Sequence, residues 1–205
     1  MTRRRETPAE GRARRGAVDD PAVVLDAAAR FLEVRPRSID EVRRRLREAG
    51  YRADLVDGAI ERLADLGMLD DEAFARAWVE SRDRARPRGE RALRSELRRK
   101  GVAGPIVANV LEERQTASTE SGQAGDPGSA GDRAPSGDRA SSVSADDVAA
   151  ARLLVRRGGA VARERDLRRR RAKAYALLAR HGFDPDVASR ALATWMAEAD
   201  PIVEE

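Results

Sequence analysis

Residues 45–63 read RLREAGYRADLVDGAIERL, and this stretch decides the fold. Leu46 stands four places before Gly50, and Tyr51 follows that glycine directly. The spacing predicts a helix that stops in a Schellman turn. Glycine takes the left-handed position without a Cβ penalty, and the apolar residue after it packs back onto the leucine. Beyond the turn, Leu55, Val56, Ala59, Ile60 and Leu63 recur at helical spacing, so a second helix follows. The pattern returns at 96–114, ELRRKGVAGPIVANVLEER, around Leu97, Gly101 and Val102. It returns again at 177–195, LLARHGFDPDVASRALATW, around Leu178, Gly182 and Phe183. One helical unit is used three times.

Each pair of helices has a third in front of it. Ser38-Ile39-Asp40-Glu41 is an S-x-x-E capping box that opens the helix ending at Gly50, with Val42 and Leu46 inward. Asp19-Asp20-Pro21 opens an earlier helix that runs to about Val34, before Pro36. Its apolar face is Val24, Ala27, Ala28, Phe31 and Leu32. Leu69-Asp70-Asp71 repeats the opening. With Asp71 laid on Asp20, Phe74, Ala75, Trp78 and Val79 fall on Val23, Val24, Ala27 and Ala28, and the period is 51. Pro87 and Gly89 separate the next two helices, and Gly104-Pro105 starts the third. Asp147 on the same place turns Ala150, Ala151, Leu154 and Val155 inward, with a five-residue expansion at Gly158-Gly159. Asp184-Pro185 opens the last helix, with Val187, Ala191, Leu192 and Trp195 on its apolar face.

The expected fold is therefore all-α: three tandem three-helix repeats, elongated and curved, that share cores because a unit of this size buries little surface alone. The expected segments are a disordered basic tail (1–18), repeat 1 (19–66), repeat 2 (67–114), a low-complexity linker (115–145), repeat 3 (146–198) and a frayed acidic end (199–205).

Composition narrows the function classes. The 205 residues include no cysteine, so disulfide and thiolate chemistry are excluded. No apolar run reaches the roughly 20 residues of a membrane span, and the N-terminus lacks the apolar core of a secretory signal. A soluble, cytoplasmic monomer is expected. His181, the single histidine, stands just before Gly182, where a cation complements a helix C-terminus. The pairs Asp19/Asp20, Asp70/Asp71 and Asp146/Asp147 sit at helix starts and read as caps, not metal ligands. No phosphate-binding glycine loop or transition-metal cluster is present. Neither catalysis nor a cofactor is expected.

Charge placement carries the rest. Of 40 basic residues only Lys100 and Lys173 are lysine, a bias that coding composition alone can produce, so position matters more than number. Residues 1–18 hold six arginines against Glu6 and Glu10, a local +4. Residues 82–100 hold nine basic side chains against three acidic, and 163–173 hold seven against two. Arg43/Arg47 and Arg94/Arg98 are i,i+4 pairs at matched places on the middle helices. The helix after the first turn is acidic, with Asp54, Asp57, Glu61 and Asp65, and Glu112 and Glu113 end its counterpart. A helix-turn-helix transcriptional regulator, the alternative reading, would present that helix to the major groove, where phosphates repel it. A polyanion face on the middle helices fits better: Arg43, Arg47, Arg88, Arg91, Arg94, Arg98, Arg99, Lys100, Arg168, Arg169, Arg171 and Lys173, contacting backbone phosphates without reading sequence. The other reading of the same residues is a solvated charged surface. The aromatic residues are core anchors; Tyr175 alone lies beside a basic run.

In this order the motifs resemble the RecX family of recombinase regulators. The resemblance rests on Ser38-x-x-Glu41-x4-Leu46-x3-Gly50-Tyr51, on GMLDDEAFARAWVESR at 67–82, and on Gly89-x3-Leu93-x2-Glu96-Leu97-x2-Lys100-Gly101-Val102. Met68 replaces a usual tyrosine and Leu93 a usual isoleucine, each keeping the apolar role. The match covers about 20–114 well and 146–197 loosely, and the low-complexity stretch between them departs from the pattern. The resemblance implies a non-enzymatic protein that binds the RecA recombinase filament on single-stranded DNA and restrains ATP hydrolysis, strand exchange and co-protease activity. The basic face adds the expectation of contact with single-stranded, and through the same phosphate chemistry double-stranded, DNA.

Overall fold

The computed structural model describes residues 7–123 and 143–199. It is all-helical there: α1 (Pro8–Gly16), α2 (Pro21–Glu33), α3 (Ile39–Ala49), α4 (Ala53–Asp65), α5 (Asp71–Ala85), α6 (Glu90–Arg99), α7 (Gly104–Gln123), α8 (Ala145–Arg157), α9 (Gly159–Ala162), α10 (Leu167–Arg180) and α11 (Pro185–Ala199). The three expected three-helix repeats are α2–α4, α5–α7 and α8–α11. By packing the chain forms two compact units, residues 1–77 with 97–107, and residues 78–96 with 108–205.

The expected helix ends form for the expected reason. The amides of Gly50 and Tyr51 return to the carbonyls of Arg47 and Leu46, with Gly50 at φ 105°. The same two bonds close at Gly101-Val102 and at Gly182-Phe183, each glycine at φ 80°. A fourth Schellman turn ends α4: the amides of Gly67 and Met68 reach Ala64 and Leu63. Leu63-x3-Gly67-Met68 carries the same sequence signature, outside the threefold pattern. Starts are equally local. The Asp20 side chain accepts from Ala22 N, and Ser38 and Glu41 form a reciprocal capping box.

In the first unit, Val24, Ala28, Val42, Leu46, Val56, Ala59, Ile60, Leu63 and Leu69 make one buried cluster. In the second, Ala149, Ala150, Leu153, Leu154, Ala174, Leu178, Phe183, Val187, Ala188, Ala191 and Leu192 make another.

Three expectations are corrected. Residues 8–16 of the expected disordered tail form α1, because Thr7 and Glu10 make a capping box and Pro8 suits the first turn. The helix docks: Arg15 Nε donates to the Ala49 carbonyl at 2.5 Å, and Gly16 lies beside Gly50. Residues 115–123 of the expected linker continue α7. There the Thr116 and Ser118 hydroxyls bond back to the carbonyls of Glu113 and Arg114, and Gln115 accepts from the Ala145 amide. The inward register of repeat 3 is shifted by one residue. Ala149, Ala150, Leu153 and Leu154 are buried, whereas Val155 is 77% exposed. Asp146, not Asp147, therefore corresponds to Asp71, and the helix is capped by Ser144 with Asp147 as its partner. In that register the expansion is six residues rather than five, since Asp146 to Gly182 spans 36 positions against 30 from Asp71 to Gly101, and it contains the short helix α9. The disorder expected for 1–6 and 124–142, and the fraying expected for 200–205, lie outside the described residues.

Candidate nucleic-acid interface

The middle helices α3 and α6 are held at their starts by the following repeat. In the first unit the Ser38 hydroxyl donates to the Lys100 carbonyl at 2.5 Å, and the Ile39 amide donates to Asp71 at 2.9 Å. Gly101 is pressed so close to Asp40 that a Cβ there would lie 2.2 Å from the aspartate Cβ. In the second unit the Gly89 amide donates to the His181 carbonyl at 3.0 Å, and the Glu90 amide to Asp146 at 2.9 Å. A Cβ on Gly182 would lie 2.5 Å from the Ala92 Cβ. Both acids cap a helix from outside it, satisfying an amide that has no partner within its own helix. Burial pushes both carboxyls above the usual range, and their amide hydrogen bonds only partly offset it. The metal-free reading of the acidic pairs as α5 and α8 caps is thus incomplete: Asp70 caps its own helix, Asp71 the one before.

Most of the expected cations in the first unit are paired. Arg43 and Arg47 both reach Asp57, at 3.1 and 3.3 Å. Lys100 reaches Glu41 at 3.0 Å, with both side chains largely buried. Burial opposes ionisation of Glu41, but hydrogen bonds from Arg35 and Lys100 outweigh it and hold the carboxyl down at about 2. Lys100 is thereby a structural residue, not a free phosphate contact. Arg98 and Arg99 are exposed and make no ion pair among the described residues.

In the second unit Arg88 lies 3.7 Å from Glu96, Arg91 lies 3.5 Å from Asp184, and Arg94 lies 2.5 Å from Glu90. Glu96 also takes Arg82 and the Trp78 indole, and the Arg82 guanidinium lies over the indole ring, so Trp78 is engaged within the fold. Lys173 closes on Glu164 at 2.5 Å. What remains is α10. Its first turn contains no acid, in contrast to Asp40 and Glu41 on α3 and Glu90 on α6. Arg168, Arg169 and Arg171 are exposed and make no ion pair among the described residues. Arg168, Arg171 and Tyr175 follow at i, i+3 and i+7, one face of the helix, and the Tyr175 ring is partly open to solvent. Cations at a helix N-terminus oppose the macrodipole by about 0.3–1 kcal/mol each, so this turn is better matched to an external anion than to its own helix.

His181 corrects another expectation. Burial lowers its pKa, with Arg88, Arg157 and Arg180 adding to the effect, against an opposing contact from Nδ1 to the Leu177 carbonyl at 2.8 Å. The ring is a neutral donor to the end of α10, not a cation. No group of three or more metal-ligating side chains occurs among the described residues. No helix among them is long and apolar enough to cross a membrane.

Arg114, outside every basic run, is the residue whose importance only the structure reveals. It is 6% exposed and bridges Asp83 at 2.8 Å and Asp146 at 2.6 Å, linking α7, α5 and α8. Burial opposes its charge, yet the two carboxylates more than offset that and raise its pKa. In the sequence it is a lone arginine after Glu112-Glu113, indistinguishable from a surface residue.

The comparisons with known proteins fit this geometry. Residues 25–63 match the family model described as RecX, first three-helix domain, and residues 70–111 that of RecX, second three-helix domain. The chain is similar to the regulatory protein RecX of Pelodictyon phaeoclathratiforme, 41% identical over 86 residues, covering 42% of this chain and 54% of that protein. It is also similar to that of Prosthecochloris aestuarii, 37% identical over 99 residues, covering 48% and 66%. The matches therefore span about half to two thirds of those relatives. The fold is that of RecX from Lactobacillus salivarius, with TM-score 0.60 and 19% identity over 86% of this chain and 96% of that one. A second RecX crystal structure gives TM-score 0.62 at 18% identity, over 93% and 80%. Two adjacent domain models in the right order, relatives near 40% identity and the shared fold agree: the chain belongs to the RecX family of regulatory proteins.

Proposed function

We propose that this protein binds the RecA filament on single-stranded DNA and restrains its ATPase, strand-exchange and co-protease activities, acting as a regulator in recombination and repair and not as an enzyme. Family membership supports the partner. The observation that supports phosphate contact is the first turn of α10, where Arg168, Arg169 and Arg171 make no ion pair among the described residues. Tyr175 beside them adds a stacking surface suited to unpaired bases. Arg98 and Arg99 supply a second exposed cationic end on α6. Arg43, Arg47, Arg91 and Arg94 hold exposed or half-exposed ion pairs, worth about 0–1 kcal/mol each, and exchange onto phosphate at small cost. The duplex-reading alternative gains nothing: α4, which follows the Gly50 turn, carries Asp54, Asp57, Glu61 and Asp65.

The test is a titration of the protein into RecA on single-stranded DNA, following ATP hydrolysis. A fall in rate at substoichiometric protein is expected. An unchanged rate at all ratios removes the proposal.

A further inference from the structure

The α2–α3 corner of the first unit gathers three arginines beside one aromatic ring. Phe31, near the end of α2, is half-buried and packs on the core of that unit. The Arg37 guanidinium lies 4.2 Å from the ring centroid, and that of Arg45, on α3, lies 5.9 Å away. The third, Arg35, is satisfied: its two Nη atoms donate to the two Glu41 oxygens at 3.3 and 3.2 Å. One carboxylate thus fills one guanidinium fork. Glu41 also takes Lys100, so its capacity is spent. Arg37 and Arg45 make no ion pair among the described residues. The Arg37 Nε is buried without a hydrogen-bond partner among them.

A buried donor without an acceptor costs free energy, and so do like charges held together. Burial lowers the Arg37 pKa, and the charges of Arg35 and Arg45 add to the effect against Glu41. The helix dipole offers no compensation: Arg37 stands one residue before the Ser38 cap, at the positive end of α3. An external anion answers each of these costs. Stacking on Phe31 already holds Arg37, so little side-chain freedom is lost when the anion arrives. Phosphate suits the pair better than a carboxylate. Its tetrahedral oxygens serve more than one fork, whereas Arg35 alone occupies both oxygens of Glu41.

We propose that Arg37 and Arg45, backed by Phe31, bind a DNA backbone phosphate through repeat 1. The site shares no residue with the α10 turn or with the face expected from the sequence, and it needs no filament.

Fluorescence anisotropy of labelled oligo-dT with the full chain, without RecA, is the test. Arg37→Gln with Arg45→Gln is expected to weaken binding about tenfold and to lower the slope of log affinity against log salt by about 0.7 for each phosphate lost. Arg30→Gln with Arg44→Gln removes the same charge from exposed pairs with Asp26 and Asp40, and should leave affinity within about twofold. Arg45 is exposed, so Arg45→Gln alone carries the test should loss of Arg37 unfold repeat 1; it is expected to weaken binding by a smaller factor. Equal losses in the two double variants overturn the proposal, because net charge then sets affinity. Unchanged oligo-dT binding overturns it as well; if binding to the RecA filament falls at the same time, the two arginines face an acidic protein surface instead. A flat RecA ATPase titration beside a lowered oligo-dT affinity removes the proposed regulation and supports this site.

Discussion

The amide of Ile39, the first residue of α3, donates to the carboxylate of Asp71, the first residue of α5, 32 positions later in the chain. Glu90 and Asp146 repeat the bond across 56 positions. Each repeat thus completes the capping of the middle helix before it. Asp71→Ala leaves a half-buried helix amide without a partner and is expected to cost about 1–3 kcal/mol. Asp71→Asn keeps an acceptor oxygen and should recover much of that. Chemical denaturation of the two variants measures the difference, and equal losses would count against the cap.

Glutamate 41 sets an acid limit on stability. Its folded pKa of about 2 lies below the ordinary 4.5. A depressed carboxylate contributes stability that is present above the unfolded value and lost as pH falls through the folded one. Stability is therefore expected to decline between about pH 4.5 and 2. Glu41→Gln should flatten that part of the profile and lower stability at pH 7 by about 1–3 kcal/mol. Thermal melts across that range check it.

Gly101 and Gly67 separate two costs that usually travel together. Both have positive φ, at 80° and 67°. A Cβ on Gly101 collides with Asp40, whereas one on Gly67 meets nothing within 4 Å. Gly67→Ala is expected to cost only the left-handed backbone penalty, about 1–2 kcal/mol. Gly101→Ala should cost clearly more, because Asp40 sits on the helix that Gly101 packs against. The ranking, measured by urea unfolding, is the outcome to check.

Phosphate binding and structural pairing predict opposite behaviour for two groups of cations. Arg168→Gln with Arg171→Gln should not lower stability and should raise it slightly, because each cation opposes the dipole of α10. The double substitution should reduce the slope of log affinity for single-stranded DNA against log salt by about one unit for each phosphate no longer neutralised. Lys100→Met should leave that slope alone and lower stability, because its charge is matched by Glu41. Fluorescence anisotropy at several salt concentrations, with parallel melts, distinguishes them.

Helix α1 closes the carbonyl end of α3 through Arg15 and Ala49. Arg15→Ala removes the donor from a part-buried carbonyl and should cost about 1 kcal/mol. Hydrogen exchange should rise first at the Gly50 turn. Uniform exchange across the first unit would argue against docking.

What the sequence determined by itself was whatever is encoded within a few residues. Gly50, Gly101 and Gly182 stop helices because a left-handed residue and the apolar one after it form a self-contained turn. Ser38 and Glu41 start one because both partners lie in the same four residues. Those local signals, recurring at a fixed period, were enough for the three repeats and for the family resemblance. Tertiary structure decided the rest, because ion pairs and joint caps join residues tens of positions apart. Nothing near Lys100 announces Glu41, and nothing near Arg114 announces Asp83 and Asp146. Asp71 and Asp146 look like ordinary caps until the helix they serve is seen. The face expected to bind polyanions was for the same reason only partly legible. Counting arginines locates the basic runs, but whether a guanidinium is free for phosphate depends on which carboxylate the fold brings beside it. Packing gives Asp57 to Arg43 and Arg47, and brings no carboxylate among the described residues to Arg168 or Arg171.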